Sequence, residues 1–141
     1  MLNQFSRTQL LFGPEAMNKL SQCRVAVFGI GGVGGYAVEA LARSGIGMLD
    51  LIDDDRVCLT NLNRQLHATR KTVGKYKVDV AEERVHEINP DCRVNTYKTF
   101  YMPDTRVPGG QFPRYGCRFF FLNVRNKGFS MHLGFLASCK C

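Results

Sequence analysis

The sequence predicts an α/β fold: a Rossmann-like, doubly wound parallel sheet. Short apolar runs rich in β-branched residues alternate with amphipathic segments of helical period, in the order strand, helix, strand, helix, strand. A glycine-rich turn, GIGGVG (29–34), joins the first of these strands to the helix that follows it. This is the arrangement found in nucleotide-binding βαβ units.

The apolar pattern places each element of this sheet. Strands are predicted at RVAVFG (24–29), MLDLID (48–53) and CRVNTYK (92–98), and helices at VGGYAVEALARSG (33–45) and at 75–88. Residues at helical spacing give each helix one apolar face: Val33, Ala37 and Leu41 in the first, and Val78, Ala81, Val85 and Ile88 in the second.

The helix ends are marked by residues that suit caps and breaks. Ser6 is expected to cap a short helix that Gly13 ends, and Pro14 suits the first turn of a second helix. Gly45 stands where a C-cap glycine belongs, and the Asn-Pro pair at 89–90 ends the last helix.

The chain divides at about residue 105, where its net charge and its sequence pattern both change. Residues 106–141 hold six Lys/Arg and no Asp/Glu, so they supply +6 of the net charge of +7. We therefore expect a nucleotide-binding domain over residues 1–105 and an irregular basic tail over 106–141, which a frameshift or a diverged terminus would explain. Within this tail only FFFLNV (119–124) is compatible with a strand.

Composition argues against a membrane protein and against a metal site. No run approaches the roughly 18 apolar residues of a membrane span, and MLNQFSRTQ lacks the apolar segment of a secretory signal, so a cytoplasmic location with free thiols is expected. Three cysteines in apolar contexts are expected to be small core residues: Cys23, Cys58 and Cys92. The remaining Cys/His spacing suits structural zinc poorly: Cys117, His132, Cys139 and Cys141.

The glycine turn and a following acid predict a nucleotide site. The turn fits G-x-G-x-x-G through Gly29, Gly31 and Gly34, and its context between strand and helix is the one that the motif requires. Asp53, nineteen residues after Gly34 at the end of the second strand, is placed to accept a hydrogen bond from a ribose. Asp54 and Asp55 are expected to be solvated. These residues alone leave NAD and ATP both open, and a purely structural turn remains an alternative.

The NLNRQLH segment (61–67) favours a triphosphate. Asn61, Arg64 and Gln65 follow Asp53 closely, and Lys77 opens the next helix. Cations beside a nucleotide pocket neutralise phosphates and stabilise the charge on a leaving pyrophosphate. His67 is expected to be a loop or capping histidine.

Several separated motifs resemble one family in order and spacing. GIGGVGG, followed by DDDRVCLTNLNRQLHATRKTVGKYK, resembles the ThiF/MoeB superfamily of ATP-dependent activators related to ubiquitin-activating enzymes. FSRTQLLFG, EALARSGIG and INPDCRV are most similar to the tRNA threonylcarbamoyladenosine dehydratases of that superfamily. The resemblance covers about residues 3–105.

The resemblance implies a function and a set of site residues. It implies ATP-dependent activation of a carboxylate on tRNA, with ATP and Mg²⁺ as cofactors, in a homodimer. The implied nucleotide-binding residues are Gly29, Gly31, Gly34, Asp53, Asn61, Arg64, Gln65 and Lys77. The implied catalytic residues are Arg64, Lys77 and Arg7, the last reaching the ATP of the partner subunit.

The chain also departs from the family pattern. The family has a fourth strand with an aspartate that positions magnesium and ATP, whereas no acid follows Asp104 here and Asn123 is the nearest polar residue. We therefore expect the first strand to lack a neighbour on one side and the chain itself to be inactive. Two other functions remain open: an adenylyltransferase for a ubiquitin-like sulfur-carrier protein, and a non-catalytic nucleotide-binding fragment. The basic tail could also bind RNA.

Overall fold

The chain forms a single parallel sheet with helices packed on one of its faces. The computed structural model describes residues 3–100 and the backbone of residues 119–123. The elements are α1 (Ser6–Ser21), β1 (Arg24–Phe28), α2 (Gly32–Arg43), β2 (Met48–Ile52), a 3₁₀ turn (Leu59–Asn61), α3 (Lys77–Ile88), β3 (Arg93–Tyr97) and β4 (Phe119–Asn123). The predicted α/β class and the three predicted strands are confirmed. Among the helices that are described, none is long and apolar enough to cross a membrane.

The strand order is β3-β2-β1-β4, and every pair is parallel. β1 therefore has a neighbour on both sides, and the expectation of an unpaired edge at β1 is wrong. At its carboxyl end Phe28 lies opposite Ile52 on one side and Asn123 on the other. The FFFLN run consists mostly of residues with high strand propensity, and pairing it with β1 satisfies backbone groups on that side.

The main core lies between the sheet and helices α2 and α3. It includes Val25, Val27, Ile30, Val38, Ala42, Ile46, Leu49, Leu51, Val78, Ala81, Val85 and Cys92. The predicted inward face of α3 is confirmed, since its three valine and alanine positions are buried and Ile88 packs against them.

The predicted inward face of α2 is wrong by one position. Gly34, Gly35, Val38 and Ala42 are its buried residues, whereas Val33 is 62 % exposed. The two glycines have no side chains, and this lets the helix backbone approach β1 and the loops more closely than a valine face would. Backbone contact therefore set the rotation of α2, and apolar periodicity could not reveal it.

The amino end of α1 differs from the prediction, whereas its interruption agrees with it. Gly13 has φ +80° and breaks the helix, as expected. Ser6 is not the cap: the cap position is Phe5, which makes no side-chain capping bond. Asn3 provides the acceptors instead, because its Oδ1 accepts from Phe5 N at 2.9 Å and its carbonyl accepts from Ser6 N at 3.1 Å.

Gly45 ends α2 as the sequence predicts. Its φ of +84° is the left-handed conformation that glycine adopts without strain. Gly45 N donates to Ala42 O at 3.2 Å, and Ile46 N donates to Leu41 O at 3.3 Å. This pair of bonds is the Schellman arrangement, which satisfies carbonyls that the helix itself leaves free.

A polar triad that the sequence did not reveal crosses the middle of the sheet. The Asp50 carboxylate on β2 is fully buried, and Arg24 on β1 donates to it through Nε at 2.6 Å and Nη2 at 2.9 Å. Asn95 Nδ2 on β3 donates to Asp50 Oδ1 at 2.8 Å. The only sequence signal was an acid inside an otherwise apolar strand.

Candidate nucleotide-binding site

The glycine turn between β1 and α2 is built on close backbone contacts. Gly29 has φ +86°, and its N–H donates to Ile52 O at 2.8 Å, which ties the turn to β2. An alanine Cβ at Gly34 would lie 1.8 Å from Gly29 O. Glycine is therefore required at Gly34 by space and at Gly29 by backbone conformation. The first turn of α2 leaves backbone N–H groups and a positive dipole end for an anion.

The Asp53 carboxylate holds this turn in place. Its side chain lies at the end of β2 and is 7 % exposed. Oδ2 accepts from Ile30 N at 2.6 Å, and Oδ1 accepts from Asp55 N at 2.8 Å. An ionised carboxylate has about four acceptor positions, so Asp53 can also accept from a ribose hydroxyl.

The segment that contains Asn61 folds into compact turns. Asn61 is 9 % exposed, and its Oδ1 accepts from Cys58 N at 2.9 Å. Its carbonyl accepts from Arg64 N at 3.1 Å and from Gln65 N at 2.9 Å. Asn61 thus acts as a backbone anchor that fixes where the next residues point.

Arg64 and Gln65 lie directly over the start of α2. Arg64 Cγ is 3.9 Å from the position of a Cβ at Gly32, and Gln65 Nε2 is 4.0 Å from that of a Cβ at Gly31. Gln65 is 6 % exposed, and its Oε1 has no hydrogen-bond partner among the described residues. The exposed Arg64 donates through Nη1 to the carbonyl of Thr60 at 3.1 Å. Segments more than thirty residues apart in sequence therefore meet at one site.

Lys77 approaches the same end of the sheet from α3. It is 5 % exposed, and its Nζ donates to Asp55 Oδ2 at 2.8 Å. Lys77 N also donates to Asp55 O at 3.1 Å. Asp55 is exposed, as expected, and it also supplies the anion that the buried lysine ammonium requires.

His67 packs beneath the first turn of α2. It is 7 % exposed, and its Nδ1 lies 2.9 Å from the position of a Cβ at Gly35. His67 lies in a loop, as expected, but neither of its ring nitrogens has a partner among the described residues, so the alternative of a capping side chain is wrong. Burial, and then the charge of Lys77, lower the pKa of His67 from 6.5 to about 4.

Comparison with known proteins decides the family. The model of the ThiF family matches residues 5–109. The chain belongs to the ThiF family. This confirms the resemblance drawn from the glycine turn and the NLNRQLH segment.

This ThiF-family chain is similar to tRNA threonylcarbamoyladenosine dehydratases. It is 52 % identical to the tRNA threonylcarbamoyladenosine dehydratase of Bacillus subtilis over 105 residues, which are 74 % of this chain and 41 % of that protein. The Escherichia coli enzyme is 50 % identical, over 72 % of this chain and 38 % of that protein. Its crystal structure in complex with ATP superposes with a TM-score of 0.70, covering 72 % of this chain and 42 % of that one. The chain thus spans about two fifths of these relatives.

The structure can be compared with the predictions for Arg7 and for the cysteine residues. Arg7 is exposed on α1 and makes no ion pair with a described residue. Cys92 is buried, which raises the pKa of its thiol to about 11, and Cys23 is half-buried. Cys58 is exposed, so its assignment to the core is wrong. The four residues weighed against a zinc site, Cys117, His132, Cys139 and Cys141, lie outside the described residues.

Burial of His67 predicts a pH dependence of stability. Because the folded pKa is lowered, the neutral ring stabilises the fold fully above pH 6.5, and this contribution is lost as the pH falls from 6.5 towards 4. Denaturant unfolding between pH 7 and 4 should therefore show a slope of at most about 1.4 kcal/mol per pH unit from this group. His67→Phe should remove that slope, and His86→Gln, at an exposed histidine of α3, should keep it. An unchanged slope in His67→Phe would contradict the assignment.

Proposed function

We propose that the glycine turn binds ATP and that the chain supplies the ATP-handling part of a tRNA threonylcarbamoyladenosine dehydratase. The observation that carries the proposal is the position of Arg64 and Gln65 over Gly31 and Gly32, across the turn from Asp53. A dinucleotide such as NAD needs no arginine at that place. The E. coli relative has been crystallised with ATP and with AMP, which supports the same choice.

The proposed reaction activates the carboxylate of the threonylcarbamoyl group. A carboxylate oxygen attacks the α-phosphorus of ATP, and the bond to the β-phosphate oxygen breaks, so pyrophosphate leaves. A neighbouring atom of the same modification then gives up its proton to solvent, attacks the acyl carbon and closes a ring as the bond from that carbon to the AMP oxygen breaks. AMP departs with the former carboxylate oxygen, and the modified nucleoside has lost one water overall.

The cations of the site have separate proposed roles in this reaction. Arg64 lies at the anion-binding end of α2 and would stabilise the charge that grows on pyrophosphate. Lys77 has two ammonium protons left after its bond to Asp55 and can donate them to a phosphate oxygen. Asp53 would accept a ribose hydroxyl while it holds the turn.

Magnesium is proposed as the ion that accompanies ATP. The described carboxylates nearest the turn are Asp53, Asp54 and Asp55, whose oxygens lie within 4.8 Å of one another. Two of these carboxylates are already engaged, Asp53 by backbone N–H groups and Asp55 by Lys77. They do not form a good site for a resident cation, so its ligands would be mainly phosphate oxygens and water.

A homodimer is proposed because the surface around Arg7 is exposed and rich in apolar side chains. Arg7 lies on the exposed amino half of α1, together with an apolar run: Leu10 is 87 % exposed, Leu11 82 % and Phe12 64 %. Three neighbouring large apolar side chains in water are typical of a surface that a partner covers. A second copy bound there would bring Arg7 towards the partner's ATP. A cytoplasmic location is part of the same proposal, since tRNA is the proposed substrate.

The alternative is adenylation of a sulfur-carrier protein. The sulfur carrier protein adenylyltransferase of Thermus thermophilus is 36 % identical to this chain. The aligned residues are 68 % of this chain and 36 % of that protein. Both reactions begin with attack of a carboxylate on ATP, so the glycine turn is compatible with either reaction. The higher identity to the dehydratases favours tRNA. Pyrophosphate release that depends on a carrier protein and not on modified tRNA would establish the alternative.

Arg64→Ala is expected to weaken ATP binding by about ten- to a hundredfold. A charged hydrogen bond contributes about 1.5–3 kcal/mol, which corresponds to that loss. Calorimetric titration of residues 1–141 with ATP and with NAD would measure it. Arg93→Ala, at an exposed arginine of β3 on the opposite end of the sheet, is the control and should bind ATP normally. Tight NAD binding without an ATP signal would overturn the proposed function, and normal ATP binding by Arg64→Ala would overturn the role of Arg64.

A further inference from the structure

The loop that carries the NLNRQLH segment is strongly positively charged. Residues 56–78, here called the basic loop, include the first two residues of α3 and contain no Asp/Glu and six Lys/Arg: Arg56, Arg64, Arg70, Lys71, Lys75 and Lys77. The rest of residues 1–105 holds seven basic and twelve acidic residues, a net charge of −5. The positive charge of the described domain is thus concentrated in one loop.

Only some of these cations form ion pairs with acidic residues of the described fold. Lys77 pairs with Asp55, and Lys75 lies 3.4 Å from Glu83. Arg70 and Lys71 are exposed and form no ion pair with any residue that the structure describes. The proposed ATP site therefore gives a role to Arg64 and Lys77, but it gives none to Arg70 and Lys71.

The turn that presents Arg70 and Lys71 is held by internal hydrogen bonds. Thr72 Oγ1 accepts from Thr69 N at 2.8 Å and donates to His67 O at 2.9 Å. Gly74 N donates to Val57 O at 2.9 Å and closes the loop. The cations are therefore presented by an ordered backbone, which lowers the entropic cost of binding an anion.

Arg56 lies at the start of the basic loop and bonds to Gly74, just after the turn that carries Arg70 and Lys71. Its Nη1 donates to Gly74 O at 2.7 Å, and its guanidinium lies 3.9 Å from the ring centre of Tyr76. Both contacts orient the guanidinium without neutralising it. Arg56 thus adds a third cation that lacks a carboxylate partner among the described residues.

We propose that Arg56, Arg70 and Lys71 bind the sugar–phosphate backbone of the RNA whose modified nucleotide enters the ATP site. The inference rests on the proposed function and adds the surface that would hold the substrate. Phosphate contacts fix the position of a nucleic acid and need cations rather than an apolar pocket. Arg64 and His67 connect the surface to the glycine turn through the same short stretch of chain.

The test compares two double variants of the 1–141 chain that remove equal charge. Arg70→Ala/Lys71→Ala should weaken binding of a labelled tRNA about tenfold at roughly 0.1 M salt, and should reduce the slope of log affinity against log salt by about one to two. Lys19→Ala/Arg93→Ala removes two exposed cations near the amino end of the sheet and should change both quantities little. The basic residues of 106–141 are the same in both variants, so their background binding cancels.

Each outcome has a distinct meaning. Equal losses in the two double variants would show general charge attraction and overturn the surface, as would unchanged RNA affinity in Arg70→Ala/Lys71→Ala. Binding of phosphatidylglycerol vesicles that needs Arg70 and Lys71, with RNA affinity unchanged, would replace RNA by a membrane. ATP affinity measured on the same variants should stay within about twofold of the parent chain. Absence of ATP binding in the parent itself would overturn the proposed function separately, since the RNA measurement needs no ATP.

Discussion

Gly34→Ala is expected to abolish ATP binding and to lower stability strongly. The added Cβ would lie 1.8 Å from Gly29 O and 3.0 Å from Gly29 C, both backbone atoms. Gly29 cannot move aside easily, because its N–H is bonded to Ile52 O and its φ is +86°. Overpacking of this kind costs about 1–3 kcal/mol or more, and any relief would open the turn that faces the nucleotide.

The matched control for this change is Gly32→Ala in the same helix. Its Cβ would meet nothing closer than Arg64 O at 3.7 Å, an ordinary van der Waals contact. Thermal unfolding should therefore separate the two variants, with the unfolding midpoint of Gly32→Ala close to that of the parent chain. A Gly34→Ala protein with parental midpoint and ATP affinity would show that the turn is not built as described.

Arg24→Met is expected to destabilise the fold by about 3–5 kcal/mol, the usual cost of leaving a buried charge unpaired. Asp50 is fully buried, and Arg24 supplies two of its hydrogen bonds. Asn95 donates one bond to the same carboxylate and carries no charge, so it cannot replace the cation. The measurement is the free energy of unfolding by denaturant at pH 7.

The double variant Arg24→Met/Asp50→Leu tests the cause of that loss. Removing the carboxylate as well removes the unpaired charge, so most of the stability should return. If the loss arose from the missing arginine side-chain packing alone, the double variant would be at least as unstable as the single one. That result would contradict the charge argument.

The sequence alone determined the order of elements and the nature of the turn. Local signals were sufficient wherever the cause was local. β-branched runs gave the strands, a left-handed glycine conformation ended α2 at Gly45, and G-x-G-x-x-G placed a tight turn between strand and helix. The apolar face of α3 was also predictable, because ordinary side chains pack it against the sheet.

Only the tertiary structure decided the features that depend on contacts between distant segments. The rotation of α2 follows from backbone contact at Gly34 and Gly35, which apolar periodicity does not record. The Arg24–Asp50–Asn95 triad needs three strands in register before its charges meet. The pairing of β4 with β1 joins residues almost a hundred positions apart.

The candidate site shows the same division. Sequence spacing predicted that Arg64, Gln65 and Lys77 lie near the glycine turn, and the structure brings the first two against Gly32 and Gly31. It also pairs Lys77 with Asp55 and buries His67, whose ring nitrogens have no hydrogen-bond partner in the part of the chain that is described. The chemistry of a residue type can be read from the sequence. Its charge state and its hydrogen bonds depend on which neighbours exclude water from it, and these are set by the packing of α2, α3 and the basic loop.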